Sequence, residues 1–167
     1  DILIRLFLDP SDKLLDAQPT FGMYEFFAKI QGANVVSVIR NEDFSINIDS
    51  ISKSIDQNTK LIFIASPNNP TGNLIKKEEL VALLNEKIIV VVDETYFEFC
   101  GESYMDLINQ FENLIIIRSF SKWAGLAGLR IGYAISNSEL IKRILQIKQP
   151  YNINSAAEFV AINAIKN

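Results

Sequence analysis

Histidine is absent from the 167-residue sequence and cysteine occurs once, at Cys100. Without histidine neither a Ser-His-Asp nor a Cys-His nucleophile can be assembled, because the base that takes the hydroxyl or thiol proton is missing. A Cys/His zinc cage falls on the same ground, and no metal site is expected. A lone cysteine makes no internal disulfide, which favours a reducing compartment; the cytoplasm is the expected location. Long apolar runs are missing as well. Ile88-Ile89-Val90-Val91-Val92 is among the longest, against the ~18–20 residues a bilayer span needs, so no membrane partner is expected. Nor is charge of one sign concentrated: 16 Lys and Arg oppose 20 Asp and Glu for a net −4. With no basic cluster there is no electrostatic footprint for nucleic acid. Gly125, Gly128 and Gly132 lack the G-x-G-x-x-G spacing and no G-x-x-x-x-G-K-[ST] occurs, so the nucleotide-cradle signatures fail too.

What is present is a foldable core. Apolar residues make up 49% of the chain, and near 150 residues a folded domain hides roughly 68–70% of its unfolded surface. No repeat or low-complexity linker divides the sequence, so one domain is expected. It opens at Asp1 inside a helical pattern and closes in another, and reads as a piece of a longer protein. Helical periodicity predicts helices to about Leu8, over Met23–Ile30, near Asp49–Ile55, over Lys76–Glu86, Glu139–Lys148 and Ala156–Lys166. Between them, β-branched runs predict strands near Lys13–Asp16 and over Asn34–Ile39, Lys60–Ala65, Ile88–Val92, Leu114–Ile117 and Ile131–Ile135. Near-continuous apolar strands alternating with helices imply a three-layer α/β/α fold around a mostly parallel sheet. Only about a dozen residues separate Ile117 from Ile131, too few for a comfortable crossover, so the last strand is expected to be antiparallel.

Ligands of such sheets sit beyond the carboxyl ends of the parallel strands. The three most apolar strands run there into Ser66-Pro67-Asn68-Asn69-Pro70-Thr71-Gly72, Asp93-Glu94-Thr95-Tyr96 and Arg118-Ser119-Phe120-Ser121-Lys122. The antiparallel strand starts at the same edge, which brings Arg130 beside Lys122. Singly each is ordinary: the Asn-Pro-Thr-Gly run makes a good turn, Asp93 a helix cap, Lys122 a surface lysine and Cys100 a small core residue. Together they suggest one chemistry. A deprotonated lysine forms a Schiff base with an aldehyde, a guanidinium with two hydroxyls clamps phosphate, and a carboxylate pairs with a cationic ring nitrogen. Pyridoxal 5′-phosphate (PLP) carries all three groups, and Tyr96 and Asn69 suit its phenolate oxygen.

These three motifs, the last continuing as Lys122-x-x-Gly125-x-x-Gly128-x-Arg130, resemble in order the signatures of the class I/II, fold-type I aminotransferases, over the whole chain. Within that family the sequence is most similar to the histidinol-phosphate aminotransferases. Pro19-Thr20-Phe21-Gly22-Met23-Tyr24-Glu25, Asp43-Phe44-Ser45, Gly125–Arg130 and Lys148-Gln149-Pro150-Tyr151-Asn152 carry that likeness. Threonine-phosphate decarboxylases and aromatic aminotransferases share many of these features, and a non-catalytic PLP-binding regulator is a third alternative. The resemblance implies that Lys122 holds the cofactor aldehyde and moves the substrate proton, and that Asp93 pairs with the ring nitrogen. It implies further that Asn69 and Tyr96 hold the phenolate oxygen, that Ser119, Ser121 and Arg130 bind the phosphate, and that Phe21 stacks on the ring; Tyr24 lines the same loop. The substrates implied are an amino donor, histidinol phosphate, and a 2-oxo acid, 2-oxoglutarate, within histidine biosynthesis. The implied assembly is a homodimer, with residues 1–167 as the PLP-binding large domain. A glycine-containing phosphate loop and the partner's tyrosine would precede Asp1, and a small domain with a substrate-gripping arginine would follow Asn167.

Overall fold

The computed structural model describes residues 1–166. In chain order the elements are α1 (Ile2–Phe7), β1 (Lys13–Gln18), α2 (Met23–Ile30), β2 (Asn34–Ile39), α3 (Ile48–Ser54), β3 (Thr59–Ala65) and α4 (Lys77–Asn85). There follow β4 (Ile89–Asp93), α5 (Phe97–Cys100), β5 (Leu114–Ser119), β6 (Gly132–Ser136), α6 (Ser138–Ile147) and α7 (Ser155–Lys166). Three helices start on asparagine side-chain caps, α7 among them, where Asn154 Oδ1 accepts from the Ala157 N–H at 2.9 Å. The Asn47 amide oxygen accepts from the Ser50 N–H ahead of α3, and that of Asn137 from the Glu139 and Leu140 N–H groups ahead of α6.

The strands form one six-stranded sheet in the order β2-β1-β3-β4-β5-β6. Every pair is parallel except β5 with β6. Central strands have no solvent side: Val90, Val91 and Val92 are fully buried, and alternate residues feed opposite faces. On one face Leu15, Ile62, Val90 and Ile116 pack under Ile51 of α3 and Leu80, Leu83 and Leu84 of α4. On the other, Leu14, Phe63, Val91 and Ile115 pack under Leu3 and Ile4 of α1, Ala28 of α2, and Leu140 and Ile144 of α6. This is the expected three-layer arrangement, each fully buried aliphatic side chain contributing about 1.5–3 kcal/mol by its removal from water.

The antiparallel seam depends on one glycine. Gly132 faces Ser119 across the strands, and a Cβ there would lie 2.7 Å from the Arg118 carbonyl oxygen. Only a residue without a side chain lets β6 close against β5 at this point. Three expectations are corrected. β1 runs two residues past Asp16 to Gln18, and β6 starts at Gly132 rather than Ile131, leaving Ile131 and Arg130 in the connecting turn. Cys100 is exposed, not core. It closes a single helical turn that ends at Gly101, whose left-handed φ of 73° stops α5 before its thiol reaches the interior. Among the described residues no helix is long and apolar enough to cross a membrane.

Candidate active site

Four parallel strands, β1, β3, β4 and β5, discharge their C-terminal turns into one crevice, where a cavity of about 290 Å³ opens. Phe21, Asn69, Asp93, Tyr96, Ser119, Ser121, Lys122 and Arg130 all line it. The structure therefore brings together every residue that the sequence put forward for the site, and adds Tyr24 and Thr95 to its walls.

Each turn is tied down behind the residue it presents. After β1, the Gln18 amide donates to Asp16 Oδ2 (2.8 Å) and its oxygen accepts from the Thr20 N–H (3.1 Å), so Phe21 projects from a fixed bend. The Asn68 side chain links this turn to the one after β3. Its Nδ2 donates to the Pro19 carbonyl (3.0 Å) and to Thr71 Oγ1 (2.8 Å), and its Oδ1 accepts from Thr20 Oγ1 (2.8 Å). Asn68 is thus buried and consumed by structure, and the cavity receives its neighbour Asn69.

At the end of β4, Asp93 is buried and doubly held. Tyr24 donates its hydroxyl to Oδ2 at 2.7 Å, and the Thr95 N–H donates to Oδ1 at 3.0 Å. Burial, and then the neighbouring Asp93 charge, push the Tyr24 phenol well above its ordinary pKa, so it stays a donor. Glu94, one residue on, turns away into full burial. Its Oε2 accepts from Arg118 Nε (2.9 Å) and Nη2 (2.7 Å), and its Oε1 from the Tyr104 N–H (2.8 Å). The Arg118 guanidinium lies 3.7 Å from the Phe97 ring centroid, a cation–π contact that covers the pair. This buried bridge fastens the end of β4 to the end of β5, directly behind Asp93 and Ser119.

At β5 the two serines act as a unit: Ser119 Oγ donates to Ser121 Oγ at 2.8 Å and accepts from the Ser121 N–H at 3.0 Å. Lys122 Nζ stands 5.7 Å from the Tyr96 ring centroid. Arg130 takes the left-handed conformation, with φ 54°, and its Nη1 donates to the Ala127 carbonyl at 2.8 Å. Two cations against one carboxylate make the cavity locally positive inside an acidic chain, a setting that favours an anion.

Sequence reasoning passed over Asn68, Glu94 and Arg118 and gave Tyr24 no definite task. For Asp93 a signal existed, since it shares the strand parity of Val91. Glu94 lies beyond the strand end, where parity lapses, and its inward burial carries no such signal.

A profile of the family described as aminotransferase class I and II matches residues 1–167. The chain belongs to the class I and II aminotransferases. Among curated aminotransferases it is similar to the chloroplastic histidinol-phosphate aminotransferase 1 of Arabidopsis thaliana, 46% identical across 100% of this chain and 40% of that protein. It is likewise similar to the histidinol-phosphate aminotransferase of Roseiflexus castenholzii, 44% identical across 99% of this chain and 45% of that protein. The chain therefore spans less than half the length of these relatives. Among solved aminotransferases, the histidinol-phosphate aminotransferase of Clostridium acetobutylicum superposes with a TM-score of 0.89 at 34% identity, covering 99% of this chain and 51% of its own. The aspartate aminotransferase of Thermotoga maritima superposes with a TM-score of 0.90 at 26% identity, covering 99% and 48%. The aminotransferase scaffold is thus shared across different amino donors, and the fold does not choose among them.

Proposed function

We propose that the protein is a PLP-dependent aminotransferase that moves an amino group between histidinol phosphate and 2-oxoglutarate, with residues 1–167 forming the cofactor-binding large domain of a longer polypeptide. The observation that carries the reading is the convergence of one amine, one carboxylate, one guanidinium and two hydroxyls on a single cavity. That donor set fits PLP group by group. Lys122 suits its aldehyde, Asp93 its ring nitrogen, and Arg130 with Ser119 and Ser121 its phosphate; Asn69 and Tyr96 suit its ring oxygen, and Phe21 suits a face of its ring. The amino donor is inferred from relatives named for histidinol phosphate that are 44% and 46% identical over essentially the whole chain.

When bound, PLP supplies an electron-withdrawing ring and a carbonyl carbon that exchanges amines. The chain's own residues do the rest. Lys122 would be the residue that holds the cofactor's aldehyde end, and its free amine would take the proton from the substrate α-carbon as general base. Asp93 keeps the proton on the ring nitrogen. Arg130 and the serine pair anchor the phosphate, so that the reacting carbon stays within reach of Lys122. A homodimer is the assembly we infer from the family resemblance. A cytoplasmic site rests on the free Cys100, although the Arabidopsis relative carries a chloroplastic name.

The test is a substrate competition on the purified full-length protein with PLP. We expect glutamate formation from 2-oxoglutarate and histidinol phosphate, and no CO2 from threonine phosphate. CO2 release, or transamination of aromatic amino acids with histidinol phosphate inert, would replace this substrate assignment; absence of any PLP binding would overturn the cofactor reading itself.

A further inference from the structure

The phenol of Tyr24 is a polar group on the cavity wall for which the functional reading above provides no task. It is 5% exposed, its ring is stacked on Phe63 (centroids 4.7 Å apart, 22° between planes) and meets Phe21 edge-on at 5.6 Å. Clamped between two rings, the side chain has little freedom, and its hydroxyl is delivered to Asp93 Oδ2 from 69 residues away in the chain. A carboxylate offers about four acceptor positions on its two oxygens. Here Tyr24 takes one on Oδ2 and the Thr95 N–H one on Oδ1, which fixes the rotation of the group and leaves the remaining positions for a donor arriving from the cavity.

We propose that Tyr24 is a positioning residue for Asp93: its buried hydroxyl, 2.7 Å from Oδ2, holds the carboxylate turned toward the cavity so that it engages a protonated ring nitrogen. The proposal rests on the PLP reading and narrows it, because it ties Tyr24 to one atom of the cofactor. Stacking and packing act on the whole ring, whereas the Tyr24 hydroxyl acts through Asp93 on the nitrogen alone. A PLP analogue with carbon in place of the ring nitrogen separates the two.

Dissociation constants for PLP and for this carbon analogue are measured by absorbance titration on the full-length protein, as wild type, Tyr24→Phe and Phe63→Leu. Wild type binds PLP more tightly than the analogue. Tyr24→Phe keeps the stacked ring and loses about five- to tenfold in PLP affinity while its affinity for the analogue changes less than twofold, a loss within the range of one typical hydrogen bond. Phe63→Leu keeps the phenol and disturbs the packing, and weakens both ligands by the same factor. Equal losses for both ligands in Tyr24→Phe, no loss for either, or a nitrogen-specific loss in Phe63→Leu would overturn the role given to Tyr24. Failure of the wild type to bind either ligand would overturn the PLP reading instead, and equal wild-type affinities for the two would remove Asp93 from the nitrogen. The three failures are distinct.

Discussion

Asp93 and Glu94 are chain neighbours with the same chemical group, and they serve opposite sides of one wall. Asp93 faces the cavity with acceptor positions to spare, while Glu94 is fully buried and spends both oxygens on Arg118, Ser103 and the Tyr104 N–H. The same division repeats at the other strand ends. Asn68 is consumed by Pro19, Thr20 and Thr71 while Asn69 lines the cavity, and Arg118 is locked to Glu94 while Ser119 lines the cavity. The turns after β3, β4 and β5 thus each carry a pair, one residue that lines the cavity and one that closes its bonds within the wall. A functional side chain has to keep an open valence, and an open valence gives no stability. The adjoining residue closes its own bonds and supplies the rigidity.

That division is broken most sharply from the cavity side. Lys122→Ala should lower turnover by at least ~10³-fold, since the covalent anchor and the general base proposed for it vanish together. Lys122 is exposed, so the thermal melt should barely move. Steady-state kinetics beside calorimetry reads both, and a large drop in Tm would mean that the lysine also holds the wall together. From the other side, Glu94→Ala strands Arg118 without its partner and should cost roughly 3–5 kcal/mol, the range for breaking a buried ion pair. At this chain length that is on the order of 10 °C in Tm. Residual activity should scale with the folded fraction, and a stable but inactive variant would erase the distinction between the two layers.

The smallest effect concerns Asp16, a carboxylate in the holding layer that lacks a cationic partner within bonding distance. Burial raises its pKa, against the lowering effect of hydrogen bonds from Ser37 and Gln18. A carboxyl raised in the folded state adds stability below its unfolded value, about 3.9, and loses it as pH climbs through the folded value. Asp16→Asn, which keeps an acceptor for Gln18, should therefore gain on wild type from pH 4 toward pH 7 in a series of thermal melts. A gap that closes with rising pH would show the charged form to be the favoured one.

Much of this was legible in the residue order, and the reasons are physical. The strands announced themselves because β-branched runs buried on both faces have no other use. The α2 and β2 limits at Met23–Ile30 and Asn34–Ile39 matched because Gly32 punctuates that stretch. The antiparallel β6 followed from a connection too short to cross over. The cavity-lining residues were readable because amine, acid, guanidinium and hydroxyls all lay just past strand ends. The holding layer was not readable: the tasks of Asn68, Glu94 and Arg118 are set by partners such as Thr20, Thr71 and Tyr104, tens of residues away or around a tight turn. Cys100 was misplaced for a similar reason, since composition alone does not show that Gly101 would end its helix at the surface.

The balance of charge inside the crevice has a consequence for approach as well as for grip. A chain with net charge −4 turns most of its surface weakly against a phosphate ester, yet Lys122 and Arg130 outnumber Asp93 at the mouth. A doubly negative visitor therefore meets mild rejection nearly everywhere and welcome at one spot, a bias that reaches about 8 Å at physiological ionic strength and shrinks as salt is added.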